Sequence, residues 1–139
     1  VLAEHLESMP HLERLELGNC GLGEEGLRIL LESLDRVSLK HLELWANDLG
    51  PAAATMMATS EHLRHLEFIH LGHNVLMDEG ITTLVESPAF PELRTLYFGV
   101  NDEGYELRNK LTEQRRTSAG ARIAFAGDEI GKISGWPRI

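Results

Sequence analysis

The most obvious candidates for chemistry in this sequence are its seven histidines. Four of them, His62, His65, His70 and His73, fall within twelve consecutive residues. Imidazole nitrogen is a common ligand of zinc, so a metal site has to be considered. Such a site needs ligands that converge on one point, as they do at helical His-x-x-x-His spacing. The elements that carry these histidines therefore decide whether they can act together.

No other pattern in the sequence indicates catalysis. The chain has no glycine-rich phosphate loop, no Gly-x-Ser-x-Gly nucleophile motif and no Cys-x-x-Cys pair. Its one cysteine, Cys20, cannot form an internal disulfide, and there is no Asn-x-Ser/Thr glycosylation acceptor. These features favour an intracellular setting, in the cytoplasm, and a protein that is not an enzyme.

Composition and charge exclude further classes of function. The 22 acidic and 13 basic residues give a net charge of −9, which repels phosphate backbones and anionic lipid headgroups. No apolar run approaches the ~20 residues that cross a bilayer. We therefore expect no nucleic acid, membrane, cofactor or small-molecule substrate as a partner. The length of 139 residues fits one domain.

Apolar residues return every 27 positions along most of the chain. The pattern Leu-x-x-Leu-x-Leu-x-x-Cys-x-Leu begins at Leu12, and closely similar patterns begin at Leu39, Leu66 and Leu93. The recurring residues are Leu12, Leu15, Leu17, Cys20 and Leu22; Leu39, Leu42, Leu44, Asn47 and Leu49; Leu66, Ile69, Leu71, Asn74 and Leu76; Leu93, Leu96, Phe98 and Asn101; and, in a degraded fifth copy, Gly120, Ile123, Phe125 and Asp128. Such regularity predicts a repeat protein.

These residues resemble the leucine-rich-repeat family, and specifically its ribonuclease-inhibitor-like branch, whose units have about 27 to 29 residues. Small residues at Gly26, Ala53 and Gly80 precede apolar residues spaced by three and four, which predicts a full helix in each unit. The resemblance implies a right-handed α/β solenoid, horseshoe-like, with a parallel sheet on the concave side and helices on the convex side.

Each unit combines a strand, a turn and a helix. Alternation in the Leu-x-Leu segment predicts a short strand with one buried face, on which the helix packs. Asparagine at the ninth position can donate to and accept from the turn backbone, so stacked asparagines form a ladder. Cys20 takes this position in the first repeat. Since the family accepts cysteine there, we expect a buried structural thiol.

The repeats predict one leucine-rich-repeat domain over 1–139. Residues 1–11 are interpreted as the helix of a preceding repeat, because the chain opens without Met as if inside a helix. Four repeats follow at 12–38, 39–65, 66–92 and 93–119, and the fourth departs from the pattern at Glu103. Residues 120–139 are expected to form a final strand and a C-terminal cap with Ile130, Ile133 and Trp136.

The concave face is the predicted binding surface, because positions three, five and seven of each repeat point away from the helices. Trp45, Phe68, His70 and Tyr97 are expected to be exposed and close together as anchors for a partner. Gly72 and Gly99 should leave room for a partner's side chains. The remaining candidate site residues are His41, Glu43, Glu16, Arg14 and Arg122. Alternatively, the aromatic rings only cover the sheet or contact repeats that precede Val1.

The predicted repeat also separates the histidines. His62 and His65 precede a strand, His70 lies on the concave face and His73 lies in the turn. A looser set of His41, Glu43 and His70 is conceivable, but we expect no metal.

The sequence therefore favours a protein–protein interaction module that binds a protein partner on the concave face, as a fragment or C-terminal domain of a larger protein. A scaffold or autoinhibitory domain for an attached effector, or a GTPase-activating or other regulatory repeat protein, is the alternative.

Overall fold

A computed structural model of the chain describes residues 2–128. Val1 and the expected cap residues Ile130, Ile133 and Trp136 lie outside the described residues. Strands and helices alternate throughout the described part. The strands are β1 (Arg14–Glu16), β2 (His41–Glu43), β3 (Phe68–His70), β4 (Thr95–Gly99) and β5 (Arg122–Phe125). The helices are α1 (Leu2–Leu6), α2 (Gly23–Glu32), α3 (Pro51–Ala58), α4 (Met77–Glu86) and α5 (Tyr105–Gln114), with a 3₁₀ turn at Glu61–Leu63.

The five strands form one parallel sheet in chain order. Each strand begins 27 residues after the one before it, so equivalent residues of successive repeats lie side by side. Leu15 pairs with Leu42, Leu42 with Ile69, Ile69 with Leu96, and Leu96 with Ile123. This register confirms the predicted α/β repeat fold, because a period of 27 can place these five residues in one row only when each unit forms a stacked layer.

The helices and one face of the sheet share a single apolar core. Leu42 and Ile69 of the strands pack in the same cluster as Leu30, Met57 and Ile81 of the helices, and all five are buried. Small residues allow neighbouring helices to approach closely. A Cβ added at Gly80 would lie 3.3 Å from the Cβ of Ala54 and 3.3 Å from the Cα of Pro51. The small residue that recurs before each helical stripe is therefore a packing requirement.

The predicted asparagine ladder is present between the second and third repeats. The Asn74 side-chain oxygen accepts hydrogen bonds from the backbone N–H groups of Asn47 at 2.9 Å and Leu49 at 3.1 Å. Its amide nitrogen donates to the carbonyls of Leu44 and Leu71, each at 3.0 Å. One buried side chain thus satisfies backbone groups of its own turn and of the preceding turn, and it ties the two repeats together.

The ladder ends on a carboxylate in the fourth repeat. Glu103 accepts a hydrogen bond at 2.7 Å from the backbone N–H of Asn101, the group that in the second repeat bonds the next asparagine. Its side chain is only 3% exposed and pairs with Arg108 at 3.2 Å. Arg108 also donates to the carbonyl of Ala126 at 2.6 Å. Glu103 therefore departs from the repeat pattern because its carboxylate bonds the Asn101 N–H and pairs with Arg108.

The prediction for Cys20 was wrong. Its thiol is exposed and contacts the carbonyl of Gly18 at 3.3 Å, while its backbone N–H donates to Asn47. Cys20 belongs to the outermost turn of the described residues, which has a neighbouring turn on one side only. In the later repeats a second neighbouring turn buries this position, and among the described residues Cys20 has no such second turn beside it.

Candidate partner-binding face

The sheet surface that faces away from the helices carries positions three, five and seven of each repeat, and we call it the concave face. Its exposure changes along the sheet. In β1 the residues on either side of buried Leu15 are exposed, and in β2 those beside Leu42 are partly exposed. All five residues of β4 are buried. The accessible part of the concave face is therefore largest at β1. It extends over β2, where the His41 and Glu43 side chains are 12% and 14% exposed, to partly exposed His70 in β3.

The accessible part is highly charged. Glu16 and Glu43 are paired across the strands and His41 is paired with Arg14. The His41 Nε2 atom lies 2.8 Å from a Glu43 carboxylate oxygen, and an Arg14 guanidinium nitrogen lies 3.9 Å from the same oxygen. Arg14 also forms an ion pair with Glu16. Like charges directly opposite one another repel, so the Arg14 guanidinium compensates the two carboxylates.

Three of these residues come close to a metal-binding arrangement. One ligand atom each from Glu16, His41 and Glu43 lies within 4.8 Å of the other two. The looser set considered from the sequence contained His70 instead of Glu16. Arg14 already supplies a positive charge to both carboxylates. The absence of a metal stays a prediction.

Trp45 lies next to this charged group and is partly exposed. Its indole packs over the backbone of Gly18, where an added Cβ would lie 1.9 Å from the indole Cε2 atom. Gly18 is therefore required because it makes space for a ring of the same chain. The partly exposed Trp45 ring is thus supported by the backbone of the neighbouring repeat, as an interface anchor needs.

Phe68 and Tyr97, which were expected to be exposed, are only 2% and 8% exposed. They form a second apolar cluster with Ala124 on the concave face. The His41 ring stacks on Phe68 with 4.5 Å between centroids, and the His70 ring meets Tyr97 edge-on at 4.7 Å. These contacts between neighbouring strands cover part of each ring. The prediction that Phe68 and Tyr97 are exposed was therefore wrong.

His70 is buried enough to change its acid–base behaviour. Burial lowers its pKa to about 4 from 6.5, with further lowering by His73 and His41 and an opposing effect from Glu43. The backbone N–H of Gly72 donates to the His70 Nδ1 at 3.0 Å, a bond that requires this nitrogen to be unprotonated. Burial also raises the pKa of Tyr97. His70 is thus a neutral ring at physiological pH.

The space expected beside Gly72 and Gly99 is occupied. A Cβ at Gly72 would lie 2.7 Å from the His70 ring, and one at Gly99 would lie 2.9 Å from the Cα of Gly72. Gly99 also has a φ of +57°, which disfavours other residues. These glycines accommodate the chain's own ring and backbone, so they provide no cavity for a partner's side chain.

Arg122 lies apart from the other candidate residues. Arg122 is in β5 and pairs with Thr95 of β4. It lies three strands from His41, a distance of about 14 Å at the usual strand spacing. It borders a groove with Arg115 and Arg116 at the end of α5. The structure therefore brings Arg14, Glu16, His41, Glu43 and Trp45 together, and it places Arg122 in a separate basic region.

None of the helices in the described part of the chain is long and apolar enough to span a membrane.

Parallel strands in chain order, a helix behind each strand and a ladder of asparagines define a solenoid of strand–helix repeats. The chain is a leucine-rich-repeat protein: residues 8–30 and 62–85 match the family model described as "Leucine Rich repeat". Its assignment to the ribonuclease-inhibitor-like branch stays a prediction.

A human protein described as "NACHT, LRR and PYD domains-containing protein 13" is 34% identical over 94 residues, which are 66% of this chain. The matched region covers 9% of that protein, so the chain spans a small part of its relative.

The fold is similar to that of the tropomodulin C-terminal domain from Caenorhabditis elegans, with a TM-score of 0.66 and 14% identity over 93% of this chain and 83% of that one. It is also similar to actin-binding site 2 of leiomodin-1, with a TM-score of 0.67 and 15% identity over 93% and 79%. The fold therefore belongs to the leucine-rich-repeat domains, a class of domain that binds protein partners.

Proposed function

We propose that this chain is a non-catalytic protein-interaction module that binds a protein partner through its concave face. The primary contact is at the N-terminal half of the face, which comprises Arg14, Glu16, His41, Glu43 and Trp45. Phe68, His70 and Tyr97 support this surface as a packed layer, and Arg122 contributes only to a partner that reaches β5. We expect the partner to meet the chain inside the cell.

One observation carries the proposal: a supported, partly exposed indole lies beside a charged group on a rigid sheet. Tryptophan and arginine are the residue types that most often dominate interface energies. The Arg14 and Glu16 side chains are 48% and 49% exposed, so they are accessible to a partner. The exposed Arg14 and Glu16 side chains favour a partner that brings complementary charges of both signs.

Quantitative capture tests the proposal. The immobilised chain is incubated with a cell lysate, and captured proteins are compared for the wild type, Trp45→Ala and Arg14→Ala. A control variant, Ile29→Ala, removes an exposed apolar side chain from α2 outside the sheet. We expect Trp45→Ala to reduce capture of a specific protein about tenfold, and Ile29→Ala to leave it unchanged. Equal capture by wild type, Trp45→Ala and Arg14→Ala contradicts the proposal, provided that urea unfolding shows all variants folded.

A scaffold or autoinhibitory role is the second candidate. The human relative contains NACHT and PYD domains, as its name states, and the chain spans only 9% of it. This favours repeats that act on a domain of the same protein. A longer protein that includes this chain distinguishes the two roles, because an internal scaffold stays docked to its own domain and captures nothing added in trans. No described residue favours the GTPase-activating alternative.

A further inference from the structure

Four exposed apolar side chains lie where the strands of the third and fourth repeats lead into helices, two in the loops and two at the first residues of α4 and α5. They are Val75, Met77, Val100 and Tyr105, and we call them the loop ridge. Met77 is 52% exposed and Tyr105 is 80% exposed. The four make up the majority of the seven large exposed apolar residues in the described part of the chain. This surface lies outside the concave face, and its apolar character was not predicted from the sequence.

The backbone connects the two loops of the ridge directly. The N–H of Met77 donates to the carbonyl of Asn101 at 2.9 Å, and the N–H of His73 donates to the carbonyl of Val100 at 2.9 Å. The N–H of Gly104 donates to the Asp78 carboxylate at 2.7 Å. Backbone at and beside the apolar positions is therefore in contact across the two repeats, so the four residues lie on adjacent segments of the chain.

The repeat fold itself does not require apolar residues at these positions. Since units spaced by 27 residues are structurally equivalent, the first two repeats show which residues the fold accepts there. The equivalents are Gly21 and Asp48 for Val75, Gly23 and Gly50 for Met77, Asn19 and Ala46 for Val100, and Glu24 and Pro51 for Tyr105. All are small, polar or proline. The apolar residues of the ridge are therefore an addition that folding does not explain.

Met77 adopts a backbone conformation that is unfavourable for methionine. Its φ is +59°, close to the +64° of Gly23 in the first repeat, whereas Gly50 and Gly104 at the same position have φ values of −101° and −72°. Glycine adopts this region without steric cost, whereas a side chain there is strained. Strained residues concentrate at functional sites. The positive φ of Met77 therefore costs conformational free energy, and because its side chain is exposed, burial does not offset this cost.

The surroundings of the ridge carry negative charge. Asp78, Glu79, Asp102 and Glu106 are exposed and lie close in sequence to its apolar residues. The nearest cations are Arg108 and Lys110 on α5, and Arg108 is paired with Glu103 at 3.2 Å, so the acidic side chains remain in excess. A partner that covers the ridge must therefore combine apolar side chains with flanking positive charges.

We propose that the loop ridge docks a cationic amphipathic helix of a partner protein. The apolar face of the helix packs on Val75, Met77, Val100 and Tyr105, and its lysines or arginines face Asp78, Asp102 and Glu106. Methionine and tyrosine suit this role, because a flexible thioether adapts to different side chains and a phenol ring provides a large contact area. The site is separate from the concave face, so it is independent of the proposed function above.

Fluorescence anisotropy with a defined probe tests this site. The probe is a labelled leucine–lysine amphipathic peptide about five helical turns long. One comparison peptide has glutamate in place of lysine, and another has the same composition in a scrambled order. We expect the 139-residue chain to bind the probe at least about tenfold more tightly than either comparison peptide. Equal affinity for the scrambled peptide overturns the proposal, because attraction to the net negative charge alone then accounts for binding.

Variants locate the site on the chain. Met77→Ser with Tyr105→Ser should weaken binding of the probe about tenfold, while Ile29→Ser, an equivalent change on α2, and Trp45→Ala should not change it. Met77→Gly provides a safeguard against misfolding, since it relieves the backbone and should raise the urea midpoint while still weakening binding. Unchanged affinity of the double variant for the probe overturns the proposal. This outcome is independent of whether Trp45→Ala weakens capture of a partner on the concave face.

Discussion

The indole of Trp45 occupies the space in which a side chain of residue 18 would lie. A Cβ at Gly18 would stand 1.9 Å from its Cε2 atom, although the two residues belong to different repeats. The orientation of the partly exposed Trp45 ring on the concave face is thus fixed by the absence of a side chain in the neighbouring repeat. This dependence gives the first prediction.

Gly18→Ala should displace the Trp45 ring toward solvent. The obstructing atoms are side-chain atoms, so the ring can swing away without moving the backbone, and the free energy of unfolding should fall by about 1 kcal/mol or less. Emission of Trp45, measured with Trp136→Phe as the background, should shift to longer wavelength. Gly21→Ala is the matched control: nothing lies within 4 Å of its added Cβ, but its φ of +62° should lower stability without a spectral change. An unshifted spectrum for Gly18→Ala would contradict the packing described.

Asn74→Ala should be strongly destabilising. The change leaves the N–H groups of Asn47 and Leu49 and the carbonyls of Leu44 and Leu71 without this partner in a buried environment. Since each unsatisfied buried group costs about 1 to 3 kcal/mol, we expect a loss of roughly 3 kcal/mol or more in urea unfolding. Asn109→Ala, on the exposed surface of α5, should change stability by less than about 0.5 kcal/mol. Comparable losses for the two variants would show that the ladder is unimportant.

Glu103→Ala should destabilise the fourth repeat. It removes the acceptor of the Asn101 N–H and the partner of Arg108, which then retains a partly buried charge without its carboxylate. We expect a loss of about 3 kcal/mol in urea unfolding and a smaller loss for Glu103→Gln, whose amide oxygen can still accept from Asn101. Exposed Glu106 in the following helix is the control, and Glu106→Ala should cost about 0.5 kcal/mol or less. Equal stability of Glu103→Ala and Glu106→Ala would refute the role of Glu103.

The fold was predictable from the sequence because one period determines it. Leu15, Leu42 and Ile69 recur at a fixed interval, and only stacked units bring all of them into one core. The same period correctly placed the asparagines in adjacent turns. It also assigned each residue of the strands to the core or to the concave face.

The accessibility of individual side chains was less predictable, since it depends on contacts between repeats. The position of Phe68 and Tyr97 on the concave face suggested exposure, but their rings pack against those of His41 and His70. Cys20 occupies a ladder position, yet burial there requires a neighbouring turn on both sides. The period assigns a residue to a face, whereas rotamers and the identity of cross-strand neighbours decide how much of it remains exposed.

Met77 could have been singled out from the sequence by aligning the four repeats with one another. The equivalent positions in the first, second and fourth repeats are Gly23, Gly50 and Gly104. A methionine in a column of glycines is an exception that the 27-residue period alone can reveal. The period does not reveal that the φ of Met77 is positive and its side chain exposed, because both depend on how the turn folds.

The buried, neutral ring of His70 should make stability depend on pH between about 4 and 6.5. In the unfolded chain histidine takes up a proton near its ordinary pKa of about 6.5, whereas in the folded chain the pKa is about 4. The unfolded state therefore binds more protons within this range, so the contribution of His70 is complete above it and is lost as pH falls toward 4. Allowing for the partial exposure of the ring, we expect a loss on the order of 2 kcal/mol.

A matched pair of histidine variants separates this effect of His70 from other titrations. Carboxylates also titrate at the lower end of the range, so urea unfolding at pH 7 and pH 4.5 should be compared between wild type and His70→Gln. The variant should lose less stability than wild type on acidification, and His65→Gln, which replaces an exposed histidine paired with Glu92, should behave like wild type. A proton-linked change in the NMR shifts of the His70 ring centred near its ordinary pKa, instead of near the lowered value, would contradict the burial on which this prediction depends.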